Sequence, residues 1–360
     1  MSGTSMDGID VAMIETDGRN HVVRGPSRSY PYDEAQRLRL ADALHAAVDI
    51  VRPSERPSGL DVLERDLTLW HAQAIEAFFA DCSVGRQKVD IVGFHGQTVL
   101  HRPRSGLTVQ LGSGALLARL IGISVTSNFR SDDVAAGGEG APLAPVYHQA
   151  LAASVDERPI AFVNIGGVAN VTWIGSGGRL LAFDTGPGNA PIDDWVKRHT
   201  GEAFDRDGAL ARGGELAIDT WKSLATSPYF DHPPPKSLDR NDFDYRCLDG
   251  LSLADGAATL VHFTATSIAR AADWFPERPK VWILCGGGRR NRFLLEKITG
   301  LLAPLGEQVQ PAEHFGLNGD AIEAEAFAYL AVRSLMKLPL SFPSTTRVPQ
   351  PMTGGIYHAI

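Results

Sequence analysis

The carboxylate with the clearest chemical potential is Asp184. It follows the apolar run at residues 180–183 and precedes the turn at residues 185–188, whose sequence is Thr-Gly-Pro-Gly. A turn of this composition ends a strand, and ligands of α/β proteins bind at strand exits. Phosphoryl transfer to a hydroxyl or to water requires removal of one proton, so Asp184 is the candidate catalytic base. The alternative is that its side chain only caps the turn.

A turn at the start of the chain has the residue types that phosphate binding requires. It contains Gly3, Thr4, Ser5, Met6, Asp7 and Gly8, followed by Ile9 and Asp10. The glycines allow backbone N–H groups to approach a β- or γ-phosphate closely. Asp7 and Asp10 would repel that phosphate, so we interpret them as candidate Mg²⁺ ligands acting through water. A hairpin turn rich in small residues is the alternative.

Two further glycine turns follow apolar runs in the second half of the chain. The residues concerned are Asn164, Gly166 and Gly167 in one turn and Gly286, Gly287 and Gly288 in the other. The first could approach the opposite side of the same phosphates, although Gly-Gly between β-rich runs is also the usual mark of a hairpin. The second opens a predicted helix, which suits adenosine near a helix N-terminus. Neither fits GxxxxGK[ST] or GxGxxG, which argues against the commonest nucleotide-binding folds.

Polar residues at strand exits, in a loop and on a helix are candidates for a sugar site. They are His95, Gln97, Asn128, Arg130, Glu139 and Glu323. Arg130 is the best candidate for a substrate carboxylate, because a guanidinium can bind one through two hydrogen bonds. Each residue alone is more often a structural partner or a surface group, and Glu323 could equally be a solvated helix residue. The histidines lack HExxH spacing, which disfavours a zinc site.

Strands alternate with helices in both halves of the chain. The predicted strands are residues 9–16, 90–93, 107–111, 160–164, 168–174, 180–183 and 280–284. The predicted helices are residues 32–51, 59–82, 115–121, 191–199, 215–223, 253–274, 290–299 and 321–336. Two copies of strand, glycine turn and strand predict an α/β protein with duplicated lobes. The N-terminal lobe would cover residues 1–130 and the C-terminal lobe 131–360, with the last residues able to return to the first lobe.

The composition indicates a soluble globular protein of 360 residues, 44% hydrophobic and 21% charged. A net charge of -8 without a long basic cluster argues against nucleic acid and anionic membranes as partners. The apolar stretches are shorter than the roughly 20 residues that span a bilayer, and no signal peptide is evident. The scattered Cys82, Cys247 and Cys285 predict no disulfide framework and fit a reducing cytoplasm.

Seven motifs occur in a fixed order over essentially the whole chain: MSGTSMDGID, GFHGQTVLH, GGEGAPL, NIGGVAN, FDTGPGN, PPKS and EAEAFAYLA. This ordered set resembles the motifs of the anhydro-N-acetylmuramic acid kinases. The resemblance implies two ribonuclease H-like lobes of the actin, Hsp70 and hexokinase type, with ATP in the cleft between them and a homodimer as the assembly. It also implies that water opens the 1,6-anhydro ring of anhydro-N-acetylmuramic acid while the freed O6 takes the γ-phosphate. The product, N-acetylmuramic acid 6-phosphate, would serve peptidoglycan recycling.

The resemblance also implies roles for particular residues. Asp184 would activate the water that attacks the anomeric carbon, and the turn of residues 3–10 would bind the ATP phosphates. Arg130 and Glu323 would hold the sugar, and the glycines at 286–288 would contact adenosine.

Three features depart from the pattern of the resembling family. Met1 stands inside the first motif, so the strand that the family has ahead of it is expected to be missing. Asn128 occupies a position where Asp is expected, and Leu-Asp-Arg at 238–240 replaces Thr-Gly-Arg.

Three other functions remain compatible with the residues. They are a kinase for another amino sugar or polyol, an ATPase switch without sugar chemistry, and a polyphosphate or nucleotide phosphatase of the same fold. The lack of a separate peptide-binding domain counts against the switch. The acidic charge counts against the phosphatase.

Overall fold

The computed structural model describes residues 1–3, 5–238 and 242–360, and the chain forms two compact units. The first unit comprises Met1–Ala153 and Ala321–Ile360, and the second comprises Ser154–Asp320. Helices and strands occur in both units, which confirms the α/β class. The predicted boundary at residue 130 differs from this division. The chain stays in the first unit beyond residue 130 because the buried Asp133 carboxylate accepts hydrogen bonds from Ser341 and Thr346, and because the Tyr147 hydroxyl donates to the Glu325 carboxylate at 2.7 Å.

The strands are numbered in chain order. They are β1 Gly8–Thr16, β2 Val22–Pro31, β3 Val92–Phe94, β4 Gln97–Arg102, β5 Leu107–Leu111, β6 Val125–Ser127, β7 Ile160–Ile165, β8 Val168–Ile174, β9 Leu180–Pro187, β10 Val281–Cys285, β11 Gln308–Pro311 and β12 Ile356–His358.

The helices follow the same numbering. They are α1 Glu34–Ala46, α2 Leu60–Asp81, α3 Gly114–Ile121, α4 Ser131–Ala135, α5 Pro145–Ala152, α6 Ala190–Thr200, α7 Ala209–Arg212, α8 Ile218–Ala225, α9 Leu253–Arg270, α10 Arg292–Leu302, α11 Ile322–Leu335 and α12 Pro343–Thr346. Two 3₁₀ helices near the candidate site residues are Pro228–Asp231 and Gly287–Arg290.

The second unit is built on one five-stranded sheet in the order β11-β10-β7-β8-β9. Strands β7, β8 and β9 form an antiparallel meander, while β10 runs parallel to β7 and β11 runs parallel to β10. Counted within the unit, this order is 3-2-1-4-5, the order of the ribonuclease H-like fold that was predicted. Every residue of β10 is buried, as expected for a strand that has neighbours on both sides and both faces covered. Helices α9 and α10 cover one face and form much of the core.

The first unit divides its strands among three smaller sheets. Strand β1 pairs with β2, strand β4 pairs with β5, and a third sheet has the order β12-β6-β3. Helix α11 packs against β1, β3 and β6. A Cβ atom at Gly93 in β3 would lie 2.1 Å from the Phe327 carbonyl oxygen, so only glycine lets α11 approach this closely.

Several predicted elements need correction. The first helix was predicted over 32–51 but spans Glu34–Ala46, because Asp33 forms a capping box with Gln36. The strand predicted at 180–183 continues to Pro187, because a bulge between β8 and β9 allows pairing beyond Asp184. The helix predicted at 290–299 begins at Arg292, after a 3₁₀ turn. Strands β2, β4, β6, β11 and β12 were not predicted.

Candidate active site

Asp184 lies inside β9, three residues before its end, and not at the strand exit that was predicted. Asn170 of β8 pairs with Asp184, whereas the preceding Ala169 pairs with Gly186, so Thr185 is an extra residue at a bulge. Bulges change the direction of neighbouring side chains and are frequent beside active sites. The side chain retains partial solvent exposure. It can therefore reach a ligand although it belongs to a paired strand.

A segment far along the chain surrounds Asp184 with hydrogen bonds. The Leu238 N–H donates to Asp184 Oδ2 at 2.8 Å. The Asp184 N–H donates to the Lys236 carbonyl at 2.9 Å, and the Tyr229 hydroxyl donates to the Asp184 carbonyl at 2.5 Å. Both the backbone and the carboxylate of Asp184 are thus held in one orientation.

The turn between β7 and β8 packs against the end of β9. The Gly166 carbonyl accepts a hydrogen bond from the Asn189 N–H at 2.7 Å, and the Gly167 carbonyl accepts one from the Gly188 N–H at 2.9 Å. A Cβ atom at Gly188 would lie 2.1 Å from the Gly166 oxygen. The structure thus places the second predicted phosphate turn next to the segment that follows Asp184.

The predicted adenosine turn lies beside the same structure. A Cβ atom at Gly286 would lie 2.3 Å from Asn164 Oδ1, and one at Gly288 would lie 2.2 Å from Ile165 Cγ2. Gly286 has a φ of 76°, a left-handed conformation that favours glycine. The second unit therefore brings together the predicted residues Asn164, Gly166, Gly167, Gly286, Gly287 and Gly288 at the β7 and β10 ends.

Arg289, beside these glycines, stabilises the turn and was not predicted. Its guanidinium forms ion pairs with Glu313 at 2.6 Å and with Asp320 at 2.7 Å, and it also donates to the Gly286 carbonyl. A single buried arginine thereby joins the glycine turn to the 3₁₀ helix Ala312–Phe315, which contains Glu313, and to Asp320 before α11. The repeated glycines were the only signal for this region, since the acidic partners lie more than 20 residues away.

The turn at residues 3–8 lies in the first unit and precedes β1. The Met6 N–H donates to the Gly3 carbonyl at 3.2 Å, and the Ser5 hydroxyl donates to Asp7 Oδ1 at 2.7 Å. The Gln97 side chain also donates to the Gly3 carbonyl at 3.1 Å and accepts a hydrogen bond from Ser2. Thr4, predicted to bind phosphate, lies outside the described residues.

Gln97 and His95 are buried and act on neighbouring protein groups. Gln97 is 1% exposed and holds the first turn, as described above. The Nδ1 atom of His95 contacts the Ser2 and Gly96 carbonyls, so this nitrogen carries the proton and Nε2 is an acceptor. Burial and the neighbouring Arg130 lower the pKa of His95 well below its usual value, which keeps the imidazole neutral.

The Arg130 guanidinium is oriented by contacts on two sides. Its Nε and Nη2 atoms donate to His95 Nε2 at 3.2 and 3.0 Å, and its Nη1 atom donates to the Gly140 carbonyl at 2.8 Å. It also lies 5.9 Å from the centre of the Phe327 ring. The Gly140 N–H donates a hydrogen bond to Asp133, so the loop that contains Gly140 is also held in place. A planar cation fixed in this way suits recognition of a carboxylate.

Glu323, at the start of α11, belongs to the same electrostatic environment. The residue is exposed to solvent, but partial desolvation by the surrounding protein raises the pKa of its carboxyl, Arg130 opposes that rise, and the like charge of Asp10 adds to it. Glu323, Arg130 and Asp10 are therefore close enough to influence one another. The first unit thus brings together the predicted sugar residues and the acidic end of the phosphate turn.

These carboxylates meet the chemical requirement for Mg²⁺ only in part. Oxygen donors suit this hard cation, and Asp7 also contributes to raising the pKa of Glu323. Among residues 1–3, 5–238 and 242–360, however, no cluster of three or more metal-ligating side chains is present. This set fits a cation bound through water and phosphate oxygens and not a site built from protein ligands alone.

The two remaining candidates for the sugar site, Asn128 and Glu139, form hydrogen bonds with neighbouring protein groups. Asn128 adopts a φ of 57°, which asparagine tolerates better than most residues, and its side chain accepts a hydrogen bond from Ser131. The Glu139 N–H donates to the Thr346 carbonyl at 2.6 Å. Of the departure at 238–240, Asp239 and Arg240 lie outside the described residues.

The anhydro-N-acetylmuramic acid kinase family model matches residues 1–359. The chain belongs to the anhydro-N-acetylmuramic acid kinase family. Relatives of that name occur in Agrobacterium fabrum, at 50% identity over 99% of this chain and 96% of the relative, and in Nitrobacter winogradskyi, at 51% over 99% and 97%. A third, from Rhodospirillum rubrum, is 51% identical over 99% of this chain and 92% of the relative. The resemblance drawn from the seven motifs is therefore confirmed.

A solved structure with some likeness to the chain is a ROK family glucokinase from Streptomyces griseus in complex with glucose and AMPPNP. It has a TM-score of 0.40 and 14% identity, and the match covers 89% of this chain and 96% of that one. A TM-score this low supports no conclusion about the function of the chain.

The residues that sequence reasoning missed are those that support the candidate site. Tyr229, Lys236 and Leu238 hold Asp184, and Gly140 with Asp133 holds Arg130. The PPKS motif and the GGEGAPL motif contained two of these positions but carried no chemical interpretation. Within the part of the chain that is described, no helix combines the length and apolarity needed to cross a bilayer.

Proposed function

We propose that this chain is an ATP-dependent kinase that opens 1,6-anhydro-N-acetylmuramic acid with water and phosphorylates O6. The product is N-acetylmuramic acid 6-phosphate, and the reaction belongs to peptidoglycan recycling. The observation that carries this proposal is the family match over residues 1–359, together with relatives of that name about 50% identical over 99% of the chain. A kinase of this type is a phosphotransferase with an alcohol group as acceptor.

Asp184 acts as the general base in this proposal. It takes a proton from water as the water oxygen attacks C1, the C1–O6 bond breaks, and O6 attacks the γ-phosphorus with release of ADP. The Leu238 N–H holds Oδ2 at 2.8 Å and so fixes the orientation of the carboxylate. A fixed base reduces the entropy lost when the reacting atoms are brought into line.

Arg130 binds the carboxylate of the sugar's lactyl group. The contacts with His95 and Gly140 fix the guanidinium plane before substrate arrives, so little side-chain entropy is lost on binding. Glu323, close to Arg130, binds a hydroxyl group of the sugar. His95 and Gln97, which are buried, serve the sugar site by holding Arg130 and the first turn.

The ATP phosphates contact the turn of residues 3–10 and the turn of residues 164–167, while adenosine contacts residues 286–288. Asp7 and Asp10 would hold Mg²⁺, and the cation would supply positive charge that neutralises the phosphates. We also propose a homodimer, by analogy with the family. We also propose a cytoplasmic location, which use of ATP and of a recycled cell-wall sugar supports. The net charge of -8 supports neither nucleic acid nor an anionic membrane as a partner.

The proposal is tested by mass spectrometry of the products formed from ATP, Mg²⁺ and the anhydro sugar in ¹⁸O-labelled water. The expected product carries one phosphate and one heavy oxygen at C1. A parallel incubation of unlabelled N-acetylmuramic acid 6-phosphate corrects for exchange at C1 without enzyme. Unlabelled product would exclude ring opening by solvent. ADP release with another amino sugar or polyol, and none with the anhydro compound, would establish the alternative kinase.

A further inference from the structure

Residues 228–238, which we name the covering segment, place three hydrogen bonds on the single residue Asp184. Tyr229 donates to its carbonyl, Lys236 accepts from its N–H, and Leu238 donates to its carboxylate. The segment begins with the 3₁₀ helix Pro228–Asp231 and has no further regular structure before Leu238. Side-chain contacts therefore add to the few backbone hydrogen bonds that maintain its shape.

The Lys236 ammonium provides such contacts from inside the segment. It donates to the Tyr229 carbonyl at 3.0 Å and to the Phe230 carbonyl at 3.3 Å, so it joins the end of the segment to its start. It also lies 4.6 Å from the Tyr229 ring centre and 5.4 Å from that of Trp274. The residue is only 7% exposed, which makes both kinds of contact stronger than they would be in water.

Lys236 borders a cavity of about 270 Å³ that is lined by further charged residues. Asp231, Arg270 and Asp273 line it, and Tyr229 of the segment also faces the ammonium. Burial and, to a smaller extent, the charge of Arg270 lower the pKa of Lys236 to about 8, against the opposing influence of Asp231. The ammonium form therefore dominates at pH 7 and is lost in mildly alkaline solution.

We propose that Lys236 is a positioning residue for the reaction, whose ammonium closes the covering segment and thereby fixes the Asp184 carboxylate through the Leu238 N–H. This inference rests on the proposed function, in which Asp184 is the base. Loss of the charge opens the contacts with the Tyr229 and Phe230 carbonyls. The carboxylate then samples orientations that cannot take a proton from water, so turnover falls while substrates still bind.

The first experiment compares Lys236→Met, Lys236→Arg and the control Lys222→Met, which alters an exposed lysine of α8. Lys236→Met removes contacts of a charged donor, so we expect kcat to fall roughly 10- to 100-fold with both KM values changed less than about threefold. Lys236→Arg keeps the charge and should recover much of that loss. Lys222→Met should match the wild type. Unchanged kcat in folded Lys236→Met would overturn the proposal.

The pH profile separates positioning from a merely structural contribution. In the wild type, kcat should decline above pH about 8 as Lys236 loses its proton. In Lys236→Arg this decline should disappear, because arginine stays protonated throughout the accessible range. A simple loss of stability would lower the active fraction without removing the alkaline decline. An identical decline in both proteins would contradict the proposal.

Chemical rescue tests whether a small cation that replaces the missing part of the Lys236 side chain restores activity. Propylammonium added to Lys236→Ala should restore part of kcat, and 1-propanol, similar in shape but uncharged, should not. Equal rescue by both compounds would mean that filled volume, and not charge, is what matters.

Failure of the proposed function has a different signature. If the wild type does not convert the anhydro sugar, the proposed function fails whatever the variants do. Hydrogen exchange then tests the segment itself: peptides covering residues 229–238 should exchange faster in Lys236→Met than in wild type or Lys222→Met. Unchanged exchange would disprove the closing role independently of activity.

Discussion

The two turns proposed to bind phosphate are held in different ways. In the second unit, the Gly166 and Gly167 carbonyls accept hydrogen bonds from the backbone of Asn189 and Gly188. In the first unit, the Gly3 carbonyl accepts from the side chain of Gln97, 94 residues away in sequence. The second turn is held by the main chain of the segment between β9 and α6. The first turn has main-chain contacts of its own, from Met6 N–H to the Gly3 carbonyl and from Tyr32 N–H to the Asp7 carbonyl, and gains a further hydrogen bond from a distant amide side chain.

This difference indicates where each turn is vulnerable. Every residue except proline has a backbone donor, so a main-chain contact survives most substitutions unless a new side chain collides with it. A side-chain contact is lost with the side chain. The second turn should therefore respond to added volume at a few glycines, and the first should respond to removal of one amide.

The largest effect should come from Asp184→Asn. This variant removes the proposed base and leaves both phosphate turns unaltered, so the variants of the turns can be compared with it. Loss of a general base should reduce kcat by about 10²- to 10⁴-fold and leave the Kd for ATP nearly unchanged, because both turns stay intact. Single-turnover kinetics and calorimetry measure these quantities. Asp194→Asn, the same change at an exposed site on α6, should behave as wild type. Loss of ATP binding in Asp184→Asn would instead assign Asp184 a structural role.

Substitution of Arg130 tests the sugar site beside the first turn. Arg130→Ala should raise the KM for the anhydro sugar about 10- to 100-fold, as expected when a charged hydrogen-bond donor is removed, with a much smaller change in the KM for ATP. Initial-rate kinetics with each substrate varied in turn separates the two. Equal increases in both KM values would show that Arg130 serves both substrates or the fold.

Gly188→Ala should damage the second turn by collision. The new Cβ atom would lie 2.1 Å from the Gly166 oxygen, so the backbone must shift, at a cost of about 1–3 kcal/mol in the free energy of unfolding. Chemical denaturation and the KM for ATP report the two consequences. Gly177→Ala has no atom within 4 Å of its Cβ and is the matched control. Equal behaviour of the two variants would remove the steric argument.

Gln97→Leu should destabilise the first turn by removing hydrogen bonds, with a side chain of similar size. It removes the contacts with Ser2 and the Gly3 carbonyl, so we expect a loss of about 1 kcal/mol in stability and a severalfold increase in the KM for ATP. Gly3→Ala, whose Cβ would meet its nearest atom at 3.5 Å, should leave stability unchanged. If Gln97→Leu left ATP kinetics unaltered, the amide would not be what positions this turn.

The smallest effect concerns the dependence of stability on pH. The pKa of Glu323 is raised in the folded state, so between its usual value and its raised value the native protein binds more protons than the unfolded chain. Stability from this group therefore falls as pH rises through that range. Glu323→Gln should lack this decrease, which denaturation at a series of pH values can measure. A decrease in the variant as steep as in the wild type, or steeper, would contradict the assigned shift.

The sequence was most informative where a short segment determines its own geometry. Val168–Ile174 and Leu107–Leu111 were predicted with their observed bounds, because apolar runs bounded by turns define strands locally. The glycine turns were located for the same reason. Asp184 was placed at a strand end because the bulge at Thr185 depends on pairing with β8, which a single segment does not encode.

Contacts between distant segments could not be predicted. Lys236 and Leu238 reach Asp184 over more than 50 residues, and Gly140, whose N–H donates to Asp133, accepts a hydrogen bond from Arg130. Strands such as β6 and β12 are short and acquire their identity from pairing with each other. Candidate residues could therefore be proposed from the sequence, whereas the groups that orient them could not.

The most direct test of the account is hydrogen exchange with and without a non-hydrolysable ATP analogue and Mg²⁺. If both turns bind phosphate, peptides covering residues 1–10 and residues 164–170 should each be protected by the same analogue concentration, with residues 286–290 protected as well. Protection confined to one turn, or absent from both, would contradict the assignment of these two turns to one nucleotide.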